Sequence, residues 1–347
     1  MKIMRVGVDL AKNVFHVHGV DLAEKPVWQR KLSRDKWLGA VLEKLEPGCE
    51  VGMEACAGAH HWARELQSRG YTVKLMAPQF VKPYVKSNKN DMNDAQAVCE
   101  AMSRPSMRFV PVKSVEQQDI QAVHRIRTEL VSQRTAKGNQ IRGLVAEYGL
   151  VAPRQLRRLR RAIPGWLEDA ENGLSRRLRR LLDGLRGDLV VLDHRIEELD
   201  AEIEAIANSD PVAKRLQQLR GVGPLTATAL VAAVGSGEQF AKGRHLAVSL
   251  GLTPKQHSTG GKERLLGISK RGDPYLRKLL VHGGRAALYA ARDKDDPLSQ
   301  WAKNIAARSH PNVAAVAWAG KTARIAWAMI RHGCDYQPER GMTEPLA

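Results

Sequence analysis

The order of apolar segments in the first 110 residues constrains this chain more than any other feature. Met4–Asp9 is an apolar, β-branched run suited to a central strand. Val14–Val20 alternates as a second strand does, with Val14, His16, His18 and Val20 in one phase and Phe15, Val17 and Gly19 in the other. Lys12-Asn13 lies between them, where a hairpin turn belongs. Val27–Leu32 suits a third, edge strand. The pattern then changes to alternation: a helix over Ser33–Leu45 with Ser33 as N-cap, a strand Glu50–Glu54, a helix Ala59–Arg69 stopping at Gly70, a strand Tyr71–Met76 and a helix Asp91–Met102. Three strands in succession followed by alternation make residues 1–110 a mixed α/β domain.

The rest reads as helical. Ser114–Gly149 and Leu174–Ala207 carry helical apolar spacing, the second through Leu178, Leu181, Leu182, Leu185, Leu189, Leu192, Ile196, Leu199 and Ile203. Such a stripe suits a coiled coil or an antiparallel arm, expected over residues 111–209. Between the two lies the densest basic stretch, with Arg154, Arg157, Arg158, Arg160, Arg161, Arg176, Arg177, Arg179 and Arg180. Residues 210–335 form a second compact, mainly α region, and 336–347 a tail. With 43% hydrophobic residues the chain is not disordered. Its net charge of +18 points to a polyanionic partner, because Lys and Arg gain affinity by displacing counterions from phosphates. Only 5% of residues are aromatic, which disfavours a base-stacking sheet. No apolar run reaches membrane-spanning length, no signal-peptide core is present, and Cys49, Cys56, Cys99 and Cys334 form no CxxC pair. A reducing cytoplasm is expected, without a membrane partner.

Four acids stand out. Asp9 ends the first strand, Glu54 ends a later one, and Asp91 and Asp94 sit three apart at a helix start, sharing one face. Either helix acid taken alone reads as a cap. Converging carboxylates would repel one another unless a divalent cation held them, and hard oxygen ligands suit Mg²⁺ or Mn²⁺. Such a site stabilises a pentavalent phosphate, often with two ions roughly 3.5–4 Å apart.

Two Gly-rich segments follow. LRGVGPLTATALVAAVG looks like a helix-hairpin-helix element, with Gly221 and Gly223 letting backbone N–H groups approach a phosphate; an ordinary close-packed helix turn is the competing reading. In Ser258-Thr259-Gly260-Gly261 the hydroxyls are surrounded by His257, Lys262, Arg264, Lys270 and Arg271, which could hold a phosphate or stabilise developing charge. Alone, the string reads as a solvated basic loop; Walker spacing is absent. The Arg-rich stretch has almost no acids before Glu168, so phosphate contact through Arg157, Arg158, Arg160 and Arg161 is favoured over salt-bridge lacing.

The strings VGVDLAKNVFHVHGVD, VGMEACAGAHHWARELQSRGYTVKLMAP and NKNDMNDAQAVCEA resemble the DEDD-type insertion-sequence transposases, whose four acids fall on Asp9, Glu54, Asp91 and Asp94. LGLTPKQHSTGGKERLLGISKRGDPYLRKLL is similar to that family's C-terminal transposase domain, whose nucleophilic serine lies just before a Gly. A gap-free register puts Thr259 there; a serine is the better precedent for a covalent link, so Ser258 is favoured and Thr259 is the alternative. The resemblance implies an RNase H-like (RuvC-like) N-terminal domain, a helical coiled-coil arm and a mainly α C-terminal domain. It also implies Mg²⁺ or Mn²⁺ on the four acids, attack by the hydroxyl to leave a phosphoserine-type link and a free 3′-hydroxyl, and double-stranded DNA at element ends and target as substrate. A structured bridge RNA as guide, a homo-oligomer, dimer or tetramer, and a bacterial cytoplasm, close to the nucleoid, belong to the same expectation. A RuvC-like metal-dependent junction endonuclease is the second reading, and a catalytically silent nucleic-acid binder the third.

Overall fold

The computed structural model describes residues 2–86 and 90–338, so most of the expected tail lies outside the described residues. The chain divides into two compact units, Met1–Val115 and Glu116–Ala347.

The first unit is built on β1 (Arg5–Leu10), β2 (Val14–Val20), β3 (Pro26–Ser33), α1 (Arg34–Lys44), β4 (Glu50–Glu54), α2 (Ala59–Gln67), β5 (Thr72–Met76), α3 (Pro78–Val81), α4 (Asp91–Met102) and the two-residue β6 (Phe109–Val110). The sheet order is β3-β2-β1-β4-β5-β6, with β1 parallel to β4, β4 parallel to β5 and the other neighbours antiparallel. This mixed sheet is compatible with an RNase H-like fold, and β3 is the edge strand that its sequence suggested. Ser33 occupies the N-cap position of α1 but its side chain makes no capping bond.

Strand alternation divides the sheet into two chemically different faces. On one, Phe15 packs edge-on to Trp37 of α1 and Trp62 of α2, with centroids 5.4 and 5.6 Å away, and Val6, Val8, Val17, Val51 and Met53 are fully buried. The other face is covered by α4. A Cβ at Gly7 would lie 2.2 Å from the Ala95 carbonyl oxygen and 2.7 Å from Cys99 Cβ, and one at Gly52 would lie 2.7 Å from Met102 Sδ. Glycine at position 7 is what lets the helix backbone rest on β1 itself, while at 52 the contact is with the movable end of a methionine side chain.

The second unit contains α5 (Val115–Ala146), α6 (Leu156–Glu168), α7 (Arg176–Ser209), α8 (Pro211–Leu216), α9 (Pro224–Val234), α10 (Gly243–Ser249), a hairpin of β7 (Pro254–Gln256) and β8 (Leu265–Ile268), α11 (Pro274–Ala290), α12 (Pro297–Arg308) and α13 (Pro311–His332). Ion pairs Arg127–Asp200, Arg134–Asp193 and Lys137–Asp188 run α5 and α7 antiparallel. On α7, Leu182, Leu189, Ile196 and Ile203 are buried at every seventh position, whereas Leu181 faces out. Buried His124 ties α5 to the helical core: Nδ1 is 2.8 Å from the Tyr275 hydroxyl and Nε2 is 3.0 Å from Thr228 Oγ1. No helix among the described residues is long and apolar enough to cross a membrane.

Candidate active site

Asp9 and Glu54 lie near the ends of neighbouring parallel strands, one step beyond the Val8–Met53 pair. Both are in phase with the glycines on which α4 rests, Asp9 with Gly7 and Glu54 with Gly52, so both point to the helix side of the sheet. Asp91 and Asp94 occupy the first turn of α4. The capping role falls to neither: Asn90 is the N-cap, and its side chain accepts from the Met92 N–H at 3.0 Å. Carboxylate oxygens of Asp9, Asp91 and Asp94 all lie within 4.8 Å of one another. Burial, then the charges of Asp9 and Asp94, push the Glu54 carboxyl above the usual carboxylate range. Asp9, Asp91 and Asp94 thus form one cluster, and Glu54, on the strand beside Asp9, is close enough to feel the charges of Asp9 and Asp94. Crowded carboxylates are the donor set a hard divalent cation neutralises.

Sequence reasoning overlooked His16. It pairs directly across from Asp9 in the β1–β2 hairpin, is buried, and places Nδ1 3.7 Å from Asp91 Oδ2.

The expected nucleophile lies in the second unit, on the β7–β8 hairpin. Its tip is a two-residue turn: Lys262 N–H donates to the Thr259 carbonyl at 3.1 Å, and Gly260 and Gly261 have φ of +55° and +76°. Both positive angles belong to a type I′ turn, which glycine adopts without strain. His257 N–H donates to Arg264 O, and Gln256 pairs with Leu265. This register separates the two hydroxyls. Thr259 projects with Lys262, His257 and Arg264 from one face; Ser258 projects with Glu263, Gln256 and Leu265 from the other, and Gln256 Nε2 donates to Ser258 Oγ at 3.0 Å. Every residue from Pro254 to Gly267 is exposed. The base is pinned instead: Ser269 N–H donates to Thr253 O, Lys270 N–H to Gly251 O, and a Cβ at Gly272 would strike Ser249 O at 1.7 Å. Lys270 and Arg271 are exposed beside that anchor.

The basic run divides by environment. Arg157, Arg158 and Arg161 are exposed on α6. Arg160 instead pairs with Asp193 at 2.5 Å, and Arg179 donates to the carbonyls of Trp166, Leu167 and Leu174. The Gly221–Gly223 turn precedes α9. Gly221 is pressed against α11, where its Cβ would lie 2.3 Å from Gly283 O; Gly223 is the N-cap of α9 and faces open space.

Comparison with known proteins fits this arrangement. A family profile described as a DEDD transposase of IS110 type matches residues 6–150, which include all four acids, and one described as "Transposase IS116/IS110/IS902 family" matches 213–298, which include the hairpin. The chain belongs to the IS110 family of DEDD transposases. It is 48% identical to a "Probable family 20 transposase" of Pseudomonas aeruginosa, over 97% of this chain and 100% of that one. It is 46% identical to the "Transposase for insertion sequence element IS1111A" of Coxiella burnetii, over 97% and 92% of the two chains. A Yersinia enterocolitica relative, "Transposase for insertion sequence element IS1328", is 41% identical over 94% and 97%. The enzyme is accordingly a DNA transposase, and the family implies both DNA binding and use of a divalent metal.

Proposed function

We propose that this transposase cuts and rejoins DNA through a two-part site, the four-acid cluster and a hydroxyl of the β7–β8 hairpin. Convergence of Asp9, Glu54, Asp91 and Asp94 carries the reading. These carboxylates would hold Mg²⁺ or Mn²⁺, which when bound polarises the scissile phosphate and neutralises its charge. The hydroxyl oxygen forms the new bond to phosphorus as the bond to the 3′-oxygen breaks. The hydroxyl proton ends on that 3′-oxygen, leaving a 5′-phosphate ester on the protein. The geometry favours Thr259 over Ser258, because Thr259 shares its face with His257, Lys262 and Arg264, whereas Ser258 shares its face with a carboxylate. Three cationic or polar groups around the incoming phosphate steady its oxygens and the charge that develops there.

Within this reading, residues 111–209 serve as an arm and 210–335 as the transposase domain. The exposed Arg157, Arg158 and Arg161, the Gly221–Gly223 turn, and Lys262, Arg264, Lys270 and Arg271 contact nucleic-acid backbone, with a structured bridge RNA choosing the DNA partners. The enzyme works as a homo-oligomer.

The test mixes protein, co-expressed RNA, Mg²⁺ or Mn²⁺ and labelled element-end DNA, then denatures the mixture and looks for a covalent protein–DNA band. The band should disappear with Asp9→Asn or Thr259→Ala and survive Ser258→Ala. The opposite pair of outcomes moves the nucleophile to Ser258. Cleavage without any adduct replaces this reading with hydrolysis by the acids alone.

A further inference from the structure

We propose that His16 is a positioning residue whose Nδ1 holds Asp91 in the orientation that binds the divalent cation; the inference rests on the four-acid reading above. Three observations carry it. First, register: His16 is the direct antiparallel partner of Asp9, on the face that α4 covers. The Lys12-Asn13 turn fixes that pairing, because Ala11 N–H donates to Val14 O and each step inward advances the ladder by one pair.

Second, burial without a partner. His16 is 9% exposed, and its Nδ1 finds no hydrogen-bond partner among the described residues. Buried polar atoms nearly always have one, so an orphan calls for an explanation. Two residues further along the same face, His18 has one: its Nδ1 is 3.0 Å from Gln29 Nε2. An apolar side chain at position 16 would pack against α4 without any unmet polar atom.

Third, aim. Nδ1 lies 3.7 Å from Asp91 Oδ2. That is too long for a hydrogen bond, and a small side-chain rotation closes it. The Asp91 side chain is 61% exposed, on the rim of the site. A carboxylate with that freedom is the one most in need of an outer partner, and metal-binding carboxylates ordinarily have such a partner. With its proton on Nδ1, the imidazole would donate to Oδ2 and hold the Asp91 carboxylate in place for a cation. His16 lies outside the set of mutually close ligand atoms, which is the place of an orienting group.

The test uses the full-length protein without DNA and titrates Mn²⁺, following bound ion by electron paramagnetic resonance and heat by calorimetry. Melting of the metal-free protein is recorded in parallel. Asparagine carries its amide nitrogen near the Nδ1 position, and glutamine carries it near Nε2. His16→Asn should therefore bind Mn²⁺ within a factor of about 3 of wild type, while His16→Gln and His16→Leu lose about 10- to 100-fold. Metal-free melting of His16→Leu should not fall, since that variant removes an unpaired buried atom. Equal affinities for His16→Asn and His16→Gln overturn the positioning role, as does wild-type affinity in His16→Leu. Asp9→Asn is the separate control: if it leaves Mn²⁺ binding unchanged, the four-acid site itself fails, whatever His16 does.

Discussion

Replacing Gly7 with alanine tests whether the seat of α4 on β1 sets the geometry of the acidic site. The new Cβ would lie 2.2 Å from Ala95 O, 2.4 Å from Cys99 N and 2.7 Å from Cys99 Cβ, where ordinary contacts begin at 3.4 Å. Two of these obstacles are backbone atoms of α4, so no rotamer change relieves them; the helix has to lift by about 1 Å, an overpacking cost of about 1–3 kcal/mol. For a unit of this size that lowers the melting temperature by roughly 5–15 °C. Ala95 directly follows Asp94, so the lift carries Asp91 and Asp94 away from Asp9 and Glu54. Misplacement by about 1 Å costs on the order of 100-fold in rate. Differential scanning calorimetry of Gly7→Ala reports the lost packing, Mn²⁺ titration the displacement of the acids, and a DNA-cleavage assay the loss of rate. Gly39→Ala is the control, because nothing lies within 4 Å of its added Cβ; in the middle of α1 it should stabilise by about 0.5–1 kcal/mol. A Gly7→Ala protein that melts early yet binds Mn²⁺ normally would refute the coupling between helix seat and site. One that behaves as wild type in both assays would refute the close packing as well.

Two further outcomes follow from the second unit. Replacing Arg157, Arg158 and Arg161 together by alanine should leave melting unchanged and reduce the slope of log affinity against log salt for duplex binding by about 0.9 for each phosphate no longer neutralised. Arg160→Ala should do the reverse, costing about 1 kcal/mol through its Asp193 pair while sparing the salt slope; a matching drop of slope in both proteins would contradict the division of roles. Burial, reinforced by the Arg127 charge, pulls His124 down to about 4 from 6.5. The neutral ring is therefore the folded form, so its contribution is fully present above pH 6.5 and is lost as pH falls toward 4, by about 3 kcal/mol in all. Urea midpoints between pH 7 and 4 should fall more steeply in wild type than in His124→Gln; parallel slopes would remove His124 from the acid response.

What the sequence exposed and what it hid have physical causes. Strands β1 and β4 were legible as short apolar runs, because both of their faces are covered, and β2 through its alternation. Strand β6 is two residues long and too short to show a period. The β7–β8 hairpin is exposed on both faces, so no apolar alternation marks it; Gly260-Gly261 was the available signal, read as part of a loop and not as a type I′ turn. Composition could not separate Arg160 from its neighbours, because its partner Asp193 lies 33 residues away on another helix. The same holds for Gly221, whose value to the fold lies in its contact with Gly283 of α11. His16 was hidden differently. The turn at Lys12-Asn13 already implied its pairing with Asp9, but a histidine in an apolar strand gives no sign of being orphaned until α4 is in place above it.

The acids show why packing and chemistry are one constraint here. Residues 7 and 9 share a face because the strand period is two, and residues 52 and 54 share the same face on the next strand. Gly7 lets the backbone of α4 descend onto β1, and Asp9 then meets the first turn of that helix. A larger residue at 7 would leave the carboxylates in the sequence yet hold them apart in space, whereas one at 52 meets only the ends of the Met102 and Met76 side chains, which can move aside. The glycine of GVDLAK therefore belongs to the site as much as the acid beside it, and a variant at Gly7 should lose metal affinity before it loses the fold.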